Sequence, residues 1–248
     1  MLVSARSFAE YRAMFALDDR DLEQRVLDCP GGAASFVAEA GRRGIDAVAV
    51  DRQYAENREE LGLLVERETA FKRELLVRQT EGYVWSWYAD VDDLIRQWTA
   101  NARAFRADIA ARPHRYVAGS LPGLPFADDS FDLVLSSHLL FSYGGRLGEE
   151  FHRAALAELA RVARREVRIF PLVAHDTGER YAGLDRLREE LAALGVPSRT
   201  ERVAYEFRPE ENEMLVLSTA GHRAPARTAP GPAGAVDPVR WRHREAGA

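Results

Sequence analysis

Cysteine is almost missing from this 248-residue chain, with Cys29 the single one. That excludes an internal disulfide framework and points to a reducing compartment. Lysine is as scarce: Lys72 stands alone among 34 basic residues, which reads as codon bias in a GC-rich bacterium rather than as a phosphate-binding surface. No apolar run approaches the roughly 20 residues of a membrane span, and the opening M-L-V-S-A-R-S-F-A-E is too polar for a secretory signal. Positive charge is not in excess either. A net charge of −5 argues against electrostatic capture of nucleic acid or of an anionic membrane. His, Cys and Asp nowhere fall at metal-ligand spacing, so no metal is expected. These absences predict a cytoplasmic protein that handles a small molecule.

What is present centres on Val26 to Phe36, V-L-D-C-P-G-G-A-A-S-F. An apolar run ends in Asp28, turns through Cys29, Pro30, Gly31 and Gly32, and enters Ala-rich helical sequence. This is the grammar of strand, tight turn and helix N-terminus, where bare backbone and unpaired N–H groups meet a ligand. A second apolar run, Ala47 to Val50, ends in Asp51. The spacing of about 20 residues from glycine turn to second acid is that of a nucleoside-binding β-α-β unit, with the carboxylate serving ribose hydroxyls.

Before this unit, Ser7-Phe8-Ala9-Glu10 is a capping-box pattern, and Phe8, Tyr11, Met14 and Phe15 follow at helical spacing. That helix either covers the sheet or lays Tyr11 or Met14 over a ligand at the glycine turn. After the unit, residues 55–112 are charge-rich and helical, longer than a crossover helix needs, and predict a helical insertion or lid. Asp90 is its internal N-cap, with Val91, Leu94, Ile95, Trp98, Ala102, Phe105 and Ile109 on one stripe. The knot Tyr83-Val84-Trp85-Ser86-Trp87-Tyr88 precedes it. Its aromatics either pack the insertion down or line an apolar substrate pocket through Trp85, Trp87 or Tyr88.

Tyr116 to Ala118, Leu133 to Ser137 and Val167 to Phe170 read as further buried strands, with helices over Phe151 to Arg165 and around Leu184 to Leu194. Two alternating runs, Thr200 to Phe207 and Met214 to Thr219, predict a closing antiparallel hairpin. The expected fold is a doubly wound, mostly parallel α/β sheet over residues 1–220 with a helical insertion after the second strand. Residues 221–248, rich in Pro, Ala, Gly and Arg, predict a disordered tail.

Three stretches in order resemble the class I S-adenosylmethionine-dependent methyltransferases: V-L-D-C-P-G-G-A-A, V-A-V-D-R, and L-P-F-A-D-D-S-F-D-L-V-L-S-S-H at Leu124–His138. The third is the most specific. The D-C-P-G-G turn followed by E-V-R-I-F-P-L resembles a bacterial subgroup of that family. The resemblance implies a Rossmann-like sheet of seven strands and S-adenosylmethionine as cofactor. It implies that backbone from Asp28 to Gly32 holds the methionine part, that Asp51 accepts from the ribose, and that Arg52, Ser120 and Leu121 lie by the adenine. Ser136 to His138 would sit near the sulfonium and acceptor. Pro30 and Ala34 stand where the family usually has glycine, and Ser120 where many members have Asp.

His138 is the candidate base because it follows the fourth strand's end. His175, beside Asp176, is a second candidate at the same rim, and Tyr143 is a substrate hydrogen-bonding candidate. Methyl transfer from a sulfonium needs alignment and dryness more than a loud catalytic motif. The leading expectation is methyl transfer to a small-molecule acceptor, of specialised-metabolite type. A non-methylating S-adenosylmethionine-binding protein of the same fold and a dinucleotide-dependent oxidoreductase are the competing readings.

Overall fold

The computed structural model describes residues 5–77, 80–175 and 177–221, without the side chains of residues 70, 74 and 75. Asp176 and the tail beyond Gly221 lie outside that description. The elements run α1 (Phe8–Met14), β1 (Val26–Asp28), α2 (Phe36–Arg42), β2 (Ala47–Asp51), α3 (Arg58–Val77), α4 (Val91–Ala111), β3 (Tyr116–Ala118), β4 (Phe131–Ser137), α5 (Glu149–Val162), β5 (Ala163–Phe170), α6 (Leu184–Ala193), β6 (Ser198–Arg202) and β7 (Glu213–Ser218). One seven-stranded sheet has the order β3-β2-β1-β4-β5-β7-β6. Its first five strands are parallel and β7 enters antiparallel between β5 and β6. This is the doubly wound sheet of Rossmann-like methyltransferases.

Burial on both faces explains the continuous apolar runs in the central strands. One core layer takes Phe8, Tyr11, Phe15 and Phe36 from α1, α2 and their flanks, with Leu94, Trp98 and Phe105 from α4. The opposite layer takes Leu156, Leu159, Leu187 and Leu191 from α5 and α6. Local signals act where the sequence places them. Ser7 and Glu10 form the reciprocal capping box, and the Asp90 carboxylate accepts from the Asp93 N–H at 2.7 Å, a cap worth about 1 kcal/mol.

Two elements differ from the sequence expectation. The 55–112 stretch divides: α4 buries its stripe in the core and runs into β3 as the crossover helix, so the extra chain is α3 and the segment leading to Asp90. And β6 stops at Arg202, short of the alternating run to Phe207. The backbone there leaves the ladder, because the Phe207 carbonyl accepts instead from the Val84 N–H at 2.9 Å. Tyr205 and Phe207 then face the aromatic knot: Tyr83 stacks on Phe207 at 4.7 Å and Trp87 tilts onto Tyr205 at 5.2 Å.

Candidate functional site

Two groups of side chains gather at the carboxyl ends of the parallel strands. On the β1–β2 half the chemistry is acidic. Asp28 and Asp51 end adjacent strands, exposed by 1% and 2%. The Asp51 carboxylate accepts from the Gly32 N–H at 3.1 Å and the Gln53 N–H at 2.9 Å. Gly32 takes φ +52°, the left-handed conformation that favours glycine. At Gly31 a Cβ would come within 2.6 Å of the Ala49 Cβ and the Tyr54 hydroxyl, so only glycine lets this turn lie against β2. Tyr54 donates its hydroxyl to the Gly32 carbonyl at 2.8 Å. Burial raises both carboxyl pKa values, offset by the Tyr11 hydroxyl at Asp28 and by the two backbone N–H groups at Asp51.

On the β4–β5 half the chemistry is cationic and aromatic. His138 follows β4 at φ +52°, its N–H donating to the Phe170 carbonyl at 2.7 Å. Arg6, from the segment before α1, reaches it: Nη2 lies 3.3 Å from His138 Nε2. The same guanidinium donates to Glu10 at 2.9 Å and to the Tyr205 hydroxyl, and its carbon lies 5.4 to 5.7 Å from the rings of Trp98, Tyr205 and Phe207. Glu10 also accepts from Tyr88 at 2.5 Å and Tyr205 at 3.2 Å. Lys72 lies 5.2 Å from the Trp98 ring, with burial lowering its pKa to about 8. Burial first, then Arg6, His175 and Arg208, push the His138 pKa well below its ordinary value.

Two short runs of hydrogen bonds meet between the halves. A guanidinium can only donate, so His138 Nε2 accepts from Arg6 and its proton sits on Nδ1. That Nδ1 lies 2.7 Å from Ser137 Oγ, so Ser137 accepts there; the Ser137 hydroxyl also bears on Tyr11, opposing the rise that burial and Asp28 impose on its pKa. Tyr11 donates to Asp28 at 3.0 to 3.1 Å.

The other expected residues spread around these halves. Cys29 is a buried thiol whose pKa burial raises. Pro30 lies in the turn, Arg52 is exposed beyond β2, and Ser120 and Leu121, one exposed and one buried, follow β3. The Ser136 hydroxyl is buried without a hydrogen-bond partner among the described residues. Tyr143 is half-buried on the turn after β4. His175 is exposed; its N–H donates to the Ser142 carbonyl at 2.9 Å, while Arg208 donates to its carbonyl and places Nη2 at 3.4 Å from its Nε2. Asp176, the expected partner of His175, is outside the described residues. Tyr88 belongs to the Arg6–Glu10 cluster, whereas half-buried Trp85 donates Nε1 to the Thr80 carbonyl at 3.1 Å and meets Phe207 edge-on. Sequence reasoning missed Arg6, Tyr54, Tyr205 and Arg208; for Tyr54 the hint was an aromatic three residues after the second acid.

Residues 89–170 match the family model described as a methyltransferase domain. The matched stretch runs from the start of α4 to the end of β5 and includes the Leu124–His138 segment, while the glycine turn and Asp51 precede it. The sheet order agrees with the fold of such a domain. An uncharacterized protein of Methanocaldococcus jannaschii is 29% identical over 213 residues, covering 86% of this chain and 93% of that one. Among solved structures, the magnesium protoporphyrin IX methyltransferase of Synechocystis with bound S-adenosylmethionine aligns at TM-score 0.45 and 14% identity, over 86% of this chain and 78% of its own. A TehB-like methyltransferase of Corynebacterium glutamicum aligns at TM-score 0.46 and 15% identity, over 86% and 87%. Among the described residues no helix is long and apolar enough to cross a membrane, and no group of three or more His, Cys, Asp or Glu side chains is placed to hold a metal ion.

Proposed function

We propose that this protein transfers the methyl group of S-adenosylmethionine to a small-molecule acceptor. The observation that carries this reading is the pair of buried acids, Asp28 and Asp51, at adjacent strand ends beside the Gly31–Gly32 turn. The donor set fits a nucleoside. A carboxylate offers about four acceptor positions, and Asp51 uses two of them on backbone. The remaining two suit vicinal ribose hydroxyls, while Asp28 faces the methionine part and Ser120 and Leu121 the adenine.

When bound, S-adenosylmethionine supplies an electrophilic methyl on a sulfonium. The chain's own part is alignment and exclusion of water, which is worth roughly 7–11 kcal/mol when geometry is right. Trp85, Tyr88 and the α3 insertion wall the acceptor side, and Tyr143 faces it from the turn after β4. His138 takes a different role from the base expected of it. Its Nε2 already accepts from Arg6, and burial beside that cation disfavours the imidazolium. It therefore positions groups rather than removing a proton, and the acceptor must be nucleophilic as bound. His175, exposed at the rim, serves acceptor binding.

A second reading is a non-methylating S-adenosylmethionine-binding protein of the same fold, favoured by the engagement of His138 with Arg6, which removes the expected base. Calorimetric titration with S-adenosylhomocysteine and with NAD tests the cofactor: binding of the first in the micromolar range and none of the second is expected. Methyl transfer from radiolabelled S-adenosylmethionine to a panel of small amines, thiols and carboxylic acids then separates the two readings.

A further inference from the structure

Two arginine–histidine pairs belong to the acceptor half. Arg6 and His138 lie inward, Nη2 to Nε2 at 3.3 Å, and Arg208 and His175 lie at the rim, Nη2 to Nε2 at 3.4 Å. Both cations come from the edges of the acceptor half, one before α1 and one from the β6–β7 connection. One aromatic stack links them: the Arg6 carbon lies 5.7 Å from the Phe207 ring, which stacks on Tyr83 at 4.7 Å, and the Arg208 carbon lies 5.6 Å from the Tyr83 ring. A guanidinium facing an imidazole nitrogen gains no charge neutralisation there, so its preference for a planar oxyanion is only partly met. Arg6 Nε, besides, is buried without a partner among the described residues. Glu10, the acid nearest Arg6, is already shared among Arg6, Tyr88 and Tyr205. Buried Glu211, three residues after Arg208, is the competing acid: burial raises its pKa and the charges of Arg6 and Arg208 oppose that rise. The walls are the rings of Trp98, Tyr205 and Phe207.

From these contacts we infer that the acceptor carries an oxyanion, a carboxylate or phosphate on an apolar body, seated between Arg6–His138 and Arg208–His175. This rests on the methyl-transfer reading only for the word acceptor; the anion seat itself is testable alone. Benzoate, phenyl phosphate and neutral benzamide are titrated into the full chain, followed by tryptophan fluorescence and calorimetry. At least one of the two anions is expected to bind at least tenfold more tightly than benzamide, and which one binds identifies the headgroup. Arg208→Gln, a half-buried surface position, is expected to weaken that anion at least tenfold while leaving benzamide within twofold. Glu211→Gln is expected to tighten it severalfold. Equal binding of charged and neutral probes, or an Arg208→Gln variant within twofold of the parent, overturns the proposal. Arg6→Gln adds the inner pair, and Arg208→Gln decides the question if that variant does not fold. Titration with S-adenosylhomocysteine in parallel separates the two claims: the cofactor binding without the anions defeats the seat alone, and the anions binding without the cofactor defeats the methyl-transfer reading alone.

Discussion

The two halves of the strand-end crest solve the burial of polar groups in opposite ways. The β1–β2 half buries two carboxylates and satisfies them with neutral donors: the Tyr11 hydroxyl at Asp28, and the Gly32 and Gln53 N–H groups at Asp51. The β4–β5 half buries an arginine and pairs it with a carboxylate, a phenol and an imidazole, leaving its Nε without a partner among the described residues. The first leaves charge that suits hydroxyls and a sulfonium; the second leaves positive charge set in aromatic walls. On the proposed reading, the sign of the buried charge distinguishes a cofactor side from an acceptor side before any ligand is known. Ser137, bonded to His138, and Tyr11, bonded to Asp28, stand where the two signs meet.

The sharpest way to break the comparison is to unpair the cationic half. Glu10→Gln leaves Arg6 buried beside a neutral amide, and loss of a buried charge partner costs about 3–5 kcal/mol. Urea unfolding should show a loss of that size, and a loss under 1 kcal/mol would mean that Tyr205 and His138 alone hold the guanidinium. On the acidic half, Asp51→Ala should weaken S-adenosylhomocysteine about 100-fold, since two hydrogen bonds to a charged group are worth roughly 1.5–3 kcal/mol each and some of that is recovered by water. Calorimetry that returns an affinity within twofold would remove Asp51 from the cofactor site. Cutting the connection by Tyr11→Phe strands the buried Asp28 carboxylate, at about 1–3 kcal/mol of stability; an unchanged unfolding midpoint would show that Asp28 finds another donor.

The smallest effect concerns pH. Folding raises the pKa values of Asp28 and Asp51, so the native state holds protons that the unfolded chain has already released. Their contribution to stability is full below the ordinary carboxylate pKa and is lost as pH rises through the raised native values. Asp28→Asn keeps an acceptor for Tyr11 and removes that loss. It should match or exceed the parent's stability at pH 8, within about 1 kcal/mol, and show a flatter stability curve above pH 4. His138 works the other way. Its lowered pKa means that stability is lost as pH falls below the ordinary histidine value of about 6.5, where the unfolded chain takes up a proton that the native ring refuses.

How much of this was legible in the sequence follows the range of the interactions. The capping box at Ser7–Glu10, the Asp90 cap, the acids ending β1 and β2 and the buried strand before His138 are set by neighbours a few residues away. Sequence therefore finds them. Arg6 meets Tyr205 across 199 positions and His138 across 132, and no local pattern encodes such pairings. The run from Thr200 to Phe207 alternates like a strand, yet tertiary contact with Tyr83 and Trp87 takes its end out of the sheet. His138 was found by position, but its role depends on a cation brought from the far end of the chain.

The account rests on the acidic half being a nucleoside site. Calorimetric titration of the full chain with S-adenosylhomocysteine, beside Asp51→Ala, tests that most directly. Micromolar binding by the parent and loss of about two orders of magnitude in the variant is the expected result. No binding by a folded parent would contradict it, and would mean that Asp28 and Asp51 serve only to hold their own turn.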